Sequence, residues 1–107
     1  MPLYIYEGAY TPEALRTLIQ DPEDRMAVVA KQLEASGVKI VAGGFSFGEY
    51  DVVAIFDAPD DVTMAAVSLA INAVGAISSS STSQLLSGPQ FVEALQKAAT
   101  ISYKAPD

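Results

Sequence analysis

Hydrophobic positions change period several times along the chain, and each change marks an element. Leu3 to Ala9 is bulky on both sides, with Leu3 and Ile5 on one face and Tyr4 and Tyr6 on the other, which predicts a strand covered on both faces. Thr11-Pro12-Glu13 follows. A hydroxyl at the N-cap, a ring with φ preset at the first helical position and an acid near the positive end of the dipole together open a helix. Its apolar face is Leu15, Leu18 and Ile19. Asp21-Pro22-Glu23 repeats the same arrangement and predicts a break around Gln20 to Pro22 followed by a restarted helix. Met26, Val29, Ala30 and Leu33 recur at i, i+3, i+4 and i+7, and Gly37 stands where a glycine ends a helix.

Val38 to Phe47 alternates loosely, and Asp51 to Asp57 is almost wholly apolar between two acids. With Gly48-Glu49 as the turn, the two form an antiparallel hairpin. Gly43-Gly44 inside the first strand marks a bulge or a close approach to the backbone. Ala58-Pro59-Asp60-Asp61 stops the hairpin and caps another helix, with Asp60 as N-cap, Met64, Val67, Ile71 and Val74 as apolar stripe and Gly75 as terminator. The remaining face of that helix, Ala65, Ala66, Ser68, Ala70 and Ala73, is small enough for close approach of another element. Ser78 to Ser83 is a run of hydroxyl residues that reads either as a polar linker or as a strand. Flanking Ile77 and Leu85-Leu86, and the absence of glycine, place the fourth strand there. Gly88-Pro89 opens a short helix with Phe91, Leu95 and Ala98 on one face, and Thr100 to Asp107 either adds an edge strand at Ile101 to Tyr103 or ends irregularly.

The order β-α-β-β-α-β plus a terminal helix predicts an α+β fold of the ferredoxin-like kind, an antiparallel four-stranded sheet with two helices on one face. A chain of 107 residues holds one such domain, residues 1–107, and no second one. The other face of the sheet then needs a cover. Tyr4, Tyr6, Phe45, Phe47 and Phe56 are assigned to that face, with a second subunit as the lid.

Phe47-Gly48-Glu49-Tyr50-Asp51-Val52-Val53-Ala54 resembles the signature of the GYD family. Tyr4-Ile5, Pro22-x-x-Arg25, Gly37 and Ala58-Pro59-Asp60-Asp61 extend the resemblance across residues 3 to 95. Membership would imply a small bacterial protein of the dimeric α+β barrel type, of unknown function, so it adds a fold and an association mode but little chemistry. The Ser run departs from the charged, Thr-containing fourth strand of similar proteins, so a polar ligand contact shared at that strand is not carried over.

Composition narrows the chemistry. Thirteen acidic against six basic residues give a net charge of −7, which argues against nucleic acid and anionic membrane surfaces as partners. There is no Cys and no His, which removes disulfides, thiolate nucleophiles, the commonest general base and the commonest metal ligands; neither a metal nor a cofactor is expected. No uninterrupted apolar run of membrane-spanning length and no secretory leader pattern is present, so the expected location is the cytoplasm. Half the residues are hydrophobic and mean hydropathy is +0.28, more apolar surface than so small a monomer readily buries. That excess again predicts a homodimer or larger homo-oligomer.

The catalytic candidates are Glu7, Tyr50 and Asp51. Tyr50 and Asp51 are adjacent on a strand and point to opposite faces, so they either close the sheet end, Asp51 accepting backbone N–H bonds or pairing with an arginine, or serve a pocket rim where Asp51 anchors Arg25 or Arg16. Glu7, beside Tyr4, Ile5, Tyr6 and Tyr10, is placed either at the mouth of a barrel, where desolvation would suit it to proton transfer, or in solvent at an edge. Ligand-binding candidates are Tyr4, Tyr6, Phe45, Phe47 and Arg25, for a small, largely apolar ligand that is neutral or cationic unless Arg16, Arg25 or Lys39 reaches in. Gly43-Gly44 has no phosphate-loop context, which excludes a nucleotide site. The leading functional reading is a homodimeric small-molecule-binding or scaffold module with an inter-sheet cavity. The alternatives are a cofactor-free oxygenase or isomerase and a purely structural oligomerisation protein.

Overall fold

Helix starts fall where a side-chain oxygen can take up free backbone N–H groups. In the computed structural model, which describes residues 2–106, the elements are β1 (Leu3–Tyr10), α1 (Pro12–Gln20), α2 (Arg25–Leu33), β2 (Lys39–Phe45), β3 (Val52–Asp57), α3 (Asp61–Ala73), β4 (Ile77–Leu85) and α4 (Gly88–Ala98). Thr11 Oγ1 accepts from Ala14 N–H at 3.1 Å and Asp60 Oδ1 from Thr63 N–H at 2.7 Å. That bond holds the Asp60 carboxyl below its ordinary value. The helix after the break starts later than Asp21-Pro22-Glu23 predicts. Asp24 caps it, accepting from Met26 and Ala27 N–H at 3.1 and 3.2 Å, while Asp21 N–H donates to Thr17 O at 3.0 Å and finishes α1. After α2 a short 3-10 turn runs to Gly37, whose φ of 74° is the left-handed conformation that favours glycine.

The fold is α+β, with a four-stranded antiparallel sheet in the order β2-β3-β1-β4. β1 and β2 therefore run in the same direction with β3 between them. The Ser run is a strand, paired with β1 along its length. Its alternate hydroxyls reach α3: Thr82 Oγ1 lies 3.2 Å from Ser68 Oγ, and Ser80 Oγ donates to Asn72 Oδ1 at 3.2 Å. The β2–β3 connection is longer than a two-residue turn at Gly48-Glu49. It spans residues 46–51 and is closed by Ser46 N–H donating to Asp51 O at 2.9 Å. The register shift in β2 lies between Ile40 and Ala42, ahead of the glycine pair. Gly43 marks the close approach instead, because a Cβ there would lie 3.0 Å from Val53 O and 3.1 Å from the Met26 methyl. Residues 101–106 form no strand.

The core sits between the sheet and the helices. Tyr4, Tyr6, Ala54 and Phe56 supply its sheet side, Met64 and Val67 of α3 and Met26 and Leu33 of α2 its helical side. This corrects the assignment of Tyr4, Tyr6, Phe45 and Phe56 to the uncovered face, since Phe45 lines the helix side with Tyr6 and Phe56. Both faces of β1 are bulky, and the register with β3 decides between them. Tyr4 opposes Phe56 and Tyr6 opposes Ala54 beneath the helices, while Ile5 opposes Ile55 and Glu7 opposes Val53 on the other side. The Tyr6 and Phe56 rings meet edge to face, 6.2 Å apart at 72°, a favoured aromatic geometry. Leu3, Ile5, Val53 and Ile55 remain half-buried on a face over which no helix packs among the described residues.

Candidate functional site

The helices do not close over the central strands. Between α1 and α2 on one side and α3 on the other lies a groove of about 760 Å³. Tyr6, Ala54 and Phe56 form its floor, Met26, Val29 and Leu33 one wall, and Val67, Ile71 and Val74 the other, with Phe45 at one end. Small residues leave the room, Ala54 on the floor and Ala70 in the wall. Such a size and an apolar lining are those of sites that take a small molecule or an apolar side chain.

Polar groups gather at the mouth, where Tyr10, Thr11, Glu13, Glu23 and Arg25 line it. Arg25 is committed to Glu23, with Nη1 to Oε1 at 2.7 Å, so its charge is largely balanced within the rim. Burial pushes the Tyr10 phenol above its ordinary value, with Arg25 acting in the opposite direction. Burial also raises the Tyr6 phenol, a shift the neighbouring Ser80 hydroxyl opposes. The Tyr6 hydroxyl is enclosed and makes no hydrogen bond of good geometry, because the Ser80 hydroxyl near it is engaged with Asn72 Oδ1 at 3.2 Å. Gly8 makes the space for it, since a Cβ at that position would meet the hydroxyl at 2.9 Å. Both phenols stay protonated in neutral water, and the groove offers shape, dispersion and neutral hydroxyls rather than a proton-transfer pair.

The residues singled out in the sequence separate into four places. Tyr6, Phe45 and Arg25 come together around the groove. Tyr4 is buried beside α3, where its hydroxyl donates to Asp61 Oδ1. That bond, together with lost hydration, pushes its phenol up to about 12. Glu7 points to the opposite face of the sheet, between Val53 and Ser81, away from Tyr4 and Tyr6. Phe47 is fully exposed on the β2–β3 loop.

Tyr50 and Asp51 tie that loop together. The Tyr50 carbonyl accepts from Ser46 Oγ. Asp51 Oδ2 accepts from Tyr10 N–H at 2.8 Å, and Asp51 N–H donates to Gly8 O at 2.9 Å. Of the alternatives for Asp51, the backbone-accepting one is the arrangement present; neither Arg25 nor Arg16 pairs with it among the described residues. Asp51 thus acts on the groove indirectly, by fixing the end of β1 that carries Tyr10. Tyr10 lines the groove as well, although it is not among the site residues that the sequence points to. Its signal was present in the period of two through Tyr4, Tyr6, Gly8 and Tyr10.

Among the described residues, no helix is long and apolar enough to cross a membrane, and no group of three or more acidic residues is placed to hold a metal ion. The family profile described as GYD domain matches residues 4–95. A protein of Thermus thermophilus named glutamine synthetase and cystathionine beta-lyase binding protein is 33% identical over 78 residues, covering 72% of this chain and 81% of the relative.

Proposed function

Because the chain belongs to the GYD domain family, we propose that it is a small non-catalytic binding module, a single cytoplasmic domain that acts as a homodimer and holds a metabolic enzyme. The strand order β2-β3-β1-β4 supports a ferredoxin-like sheet. A second copy covers the face bearing Leu3, Ile5, Val53 and Ile55, and the dimeric α+β barrel results. The groove between the helices then faces outward on each copy. That groove is the observation that carries the reading: it is apolar, open and rimmed by an already balanced ion pair, which suits side chains of a partner better than a reacting substrate. Glu7, Tyr50 and Asp51 do not converge on it. The relative's name points to glutamine synthetase and cystathionine β-lyase as the partners to try.

The test is calorimetric titration of each purified enzyme, taken from the source organism of this chain, with wild type and Val74→Glu. Val74 lines the groove yet is 77% exposed, so the variant changes the rim without opening the core. Saturable binding of at least one enzyme, weakened tenfold or more by Val74→Glu, is expected. Absence of binding by both enzymes refutes the assignment of partners, and binding indifferent to Val74 refutes the groove as the site.

A second reading rests on the Tyr6 hydroxyl at the groove floor. It is the group with which a small, largely apolar, uncharged ligand carrying one acceptor would pair. A thermal-shift screen tests it, the expected hit losing its effect in Tyr6→Phe; stabilisation equal in both proteins counts against it.

A further inference from the structure

The segment after β4 is built as a helix, and among the described residues nothing packs on it. Ser87 and Gln90 form a reciprocal capping box, Pro89 sits in the first turn and Lys97 lies near the C-terminal end, all of which favour helix formation. Phe91, Leu95 and Ala98 share one face, and Glu93 and Lys97 approach to 3.7 Å on another. Yet every described residue from Ser83 to Pro106 is exposed. An 11-residue helix is marginal in water by itself, since isolated helices need roughly 12–15 residues even with good formers. The radius of gyration is 17.0 Å and the longest dimension 55 Å, against the roughly 13 Å radius of a compact chain of this length. The segment therefore projects from the body instead of folding back.

We propose that this arm, residues 86–106, is a clasp that packs on the body of a second copy of the chain. The inference rests on the homodimer reading above and adds a contact which that reading does not need. Three observations favour a second copy over another occupant. Leu85, the last residue of β4, lies opposite Leu3 on the uncovered face of the sheet, so the arm leaves from the border of the surface that a second copy would cover. Charge is divided unevenly: residues 1–85 hold 11 acidic and 4 basic residues, whereas residues 86–106 hold 1 acidic and 2 basic, so the net negative charge lies outside the arm. A weakly basic, apolar arm meets an acidic body without the repulsion that two bodies exert on each other. Leu86, Phe91, Val92, Leu95, Ile101 and Tyr103 are each more than half exposed. At about 150–250 Å² for a whole aromatic side chain and somewhat less for an aliphatic one, they offer roughly 600 Å² per arm. A two-fold axis repeats every contact, so two arms reach the roughly 1,200 Å² at which specific interfaces begin.

The test uses the full chain and the double variant Phe91→Asp/Leu95→Asp, compared by sedimentation equilibrium and light scattering, with far-UV circular dichroism confirming the fold. Because the chain lacks cysteine, a donor dye at Ala99→Cys and an acceptor dye at Ala66→Cys, on separate preparations, report arm-to-body contact between copies after mixing. Expected are a wild-type dimer, at least tenfold weaker dimerisation in the double variant, and energy transfer that the double variant abolishes. A double variant that dimerises as tightly as wild type, with no transfer, overturns the clasp while the sheet-mediated dimer stands. A wild type that is monomeric at millimolar concentration overturns both, leaving enzyme capture to its own titration. Unchanged dimer mass with lost binding of glutamine synthetase or cystathionine β-lyase would make the enzyme the occupant and likewise overturn the clasp.

Discussion

Replacing Asp51 with alanine removes one acceptor from a junction made by three hydrogen bonds: Asp51 Oδ2 to Tyr10 N–H, Asp51 N–H to Gly8 O, and Ser46 N–H to Asp51 O. The two main-chain bonds survive the substitution. The side-chain bond does not, and it leaves a partly buried Tyr10 N–H without a partner at the end of β1, next to the groove. A hydrogen bond to a charged acceptor contributes about 1.5–3 kcal/mol net, and an orphaned donor costs about 1–3 kcal/mol. Asp51→Ala is therefore expected to lose about 2 kcal/mol. With a urea slope near 1 kcal/mol/M for a small domain, the midpoint falls by about 2 M. Asp51→Asn keeps an acceptor oxygen and loses about 1 kcal/mol or less. Urea unfolding followed by circular dichroism, at one fixed protein concentration because association shifts apparent stability, measures both. An alanine variant within about 0.5 kcal/mol of wild type would refute the junction role. If that variant also lost enzyme binding, the carboxylate would be a recognition group. An asparagine variant as damaged as alanine would show that charge, not acceptor geometry, matters.

Other expectations follow from equally local arrangements. Met64 is 1% exposed beneath the sheet, so Met64→Ala should cost about 2–5 kcal/mol in the same unfolding assay. Tyr4 has its phenol raised from 10.0 to about 12, so its contribution is fully present below pH 10 and is lost as pH rises through about 12. Thermal melts across that window should fall steeply for wild type, whereas Tyr4→Phe should start lower at neutral pH and fall less. Gly37→Ala places a side chain at φ 74° and should cost about 1 kcal/mol, whereas Gly48→Ala, with open space around it, should stay within about 0.5 kcal/mol.

Local signals along the chain set the order of elements and most of their ends. Thr11, Asp60 and Ser87 cap helices, Gly37 and Gly75 take positive φ, and the Ser run forms a strand. Those outcomes depend on groups within a turn of one another, where hydrogen-bond reach and allowed φ act on neighbouring residues alone. Where two local signals compete, as Asp21 and Asp24 do for the start of α2, the boundary slips. Which bulky face of β1 meets the helices is not a local matter: it depends on the pairing of Tyr4 with Phe56 and Tyr6 with Ala54 across distant parts of the chain. The same pairing carried Glu7 away from the aromatic residues beside it in sequence, gave Asp51 the Tyr10 N–H in place of an arginine, and opened the groove between helices that do not meet. The unpartnered arm is a further case: its sequence specifies a helix, but only the folded body shows that none of the described residues covers it.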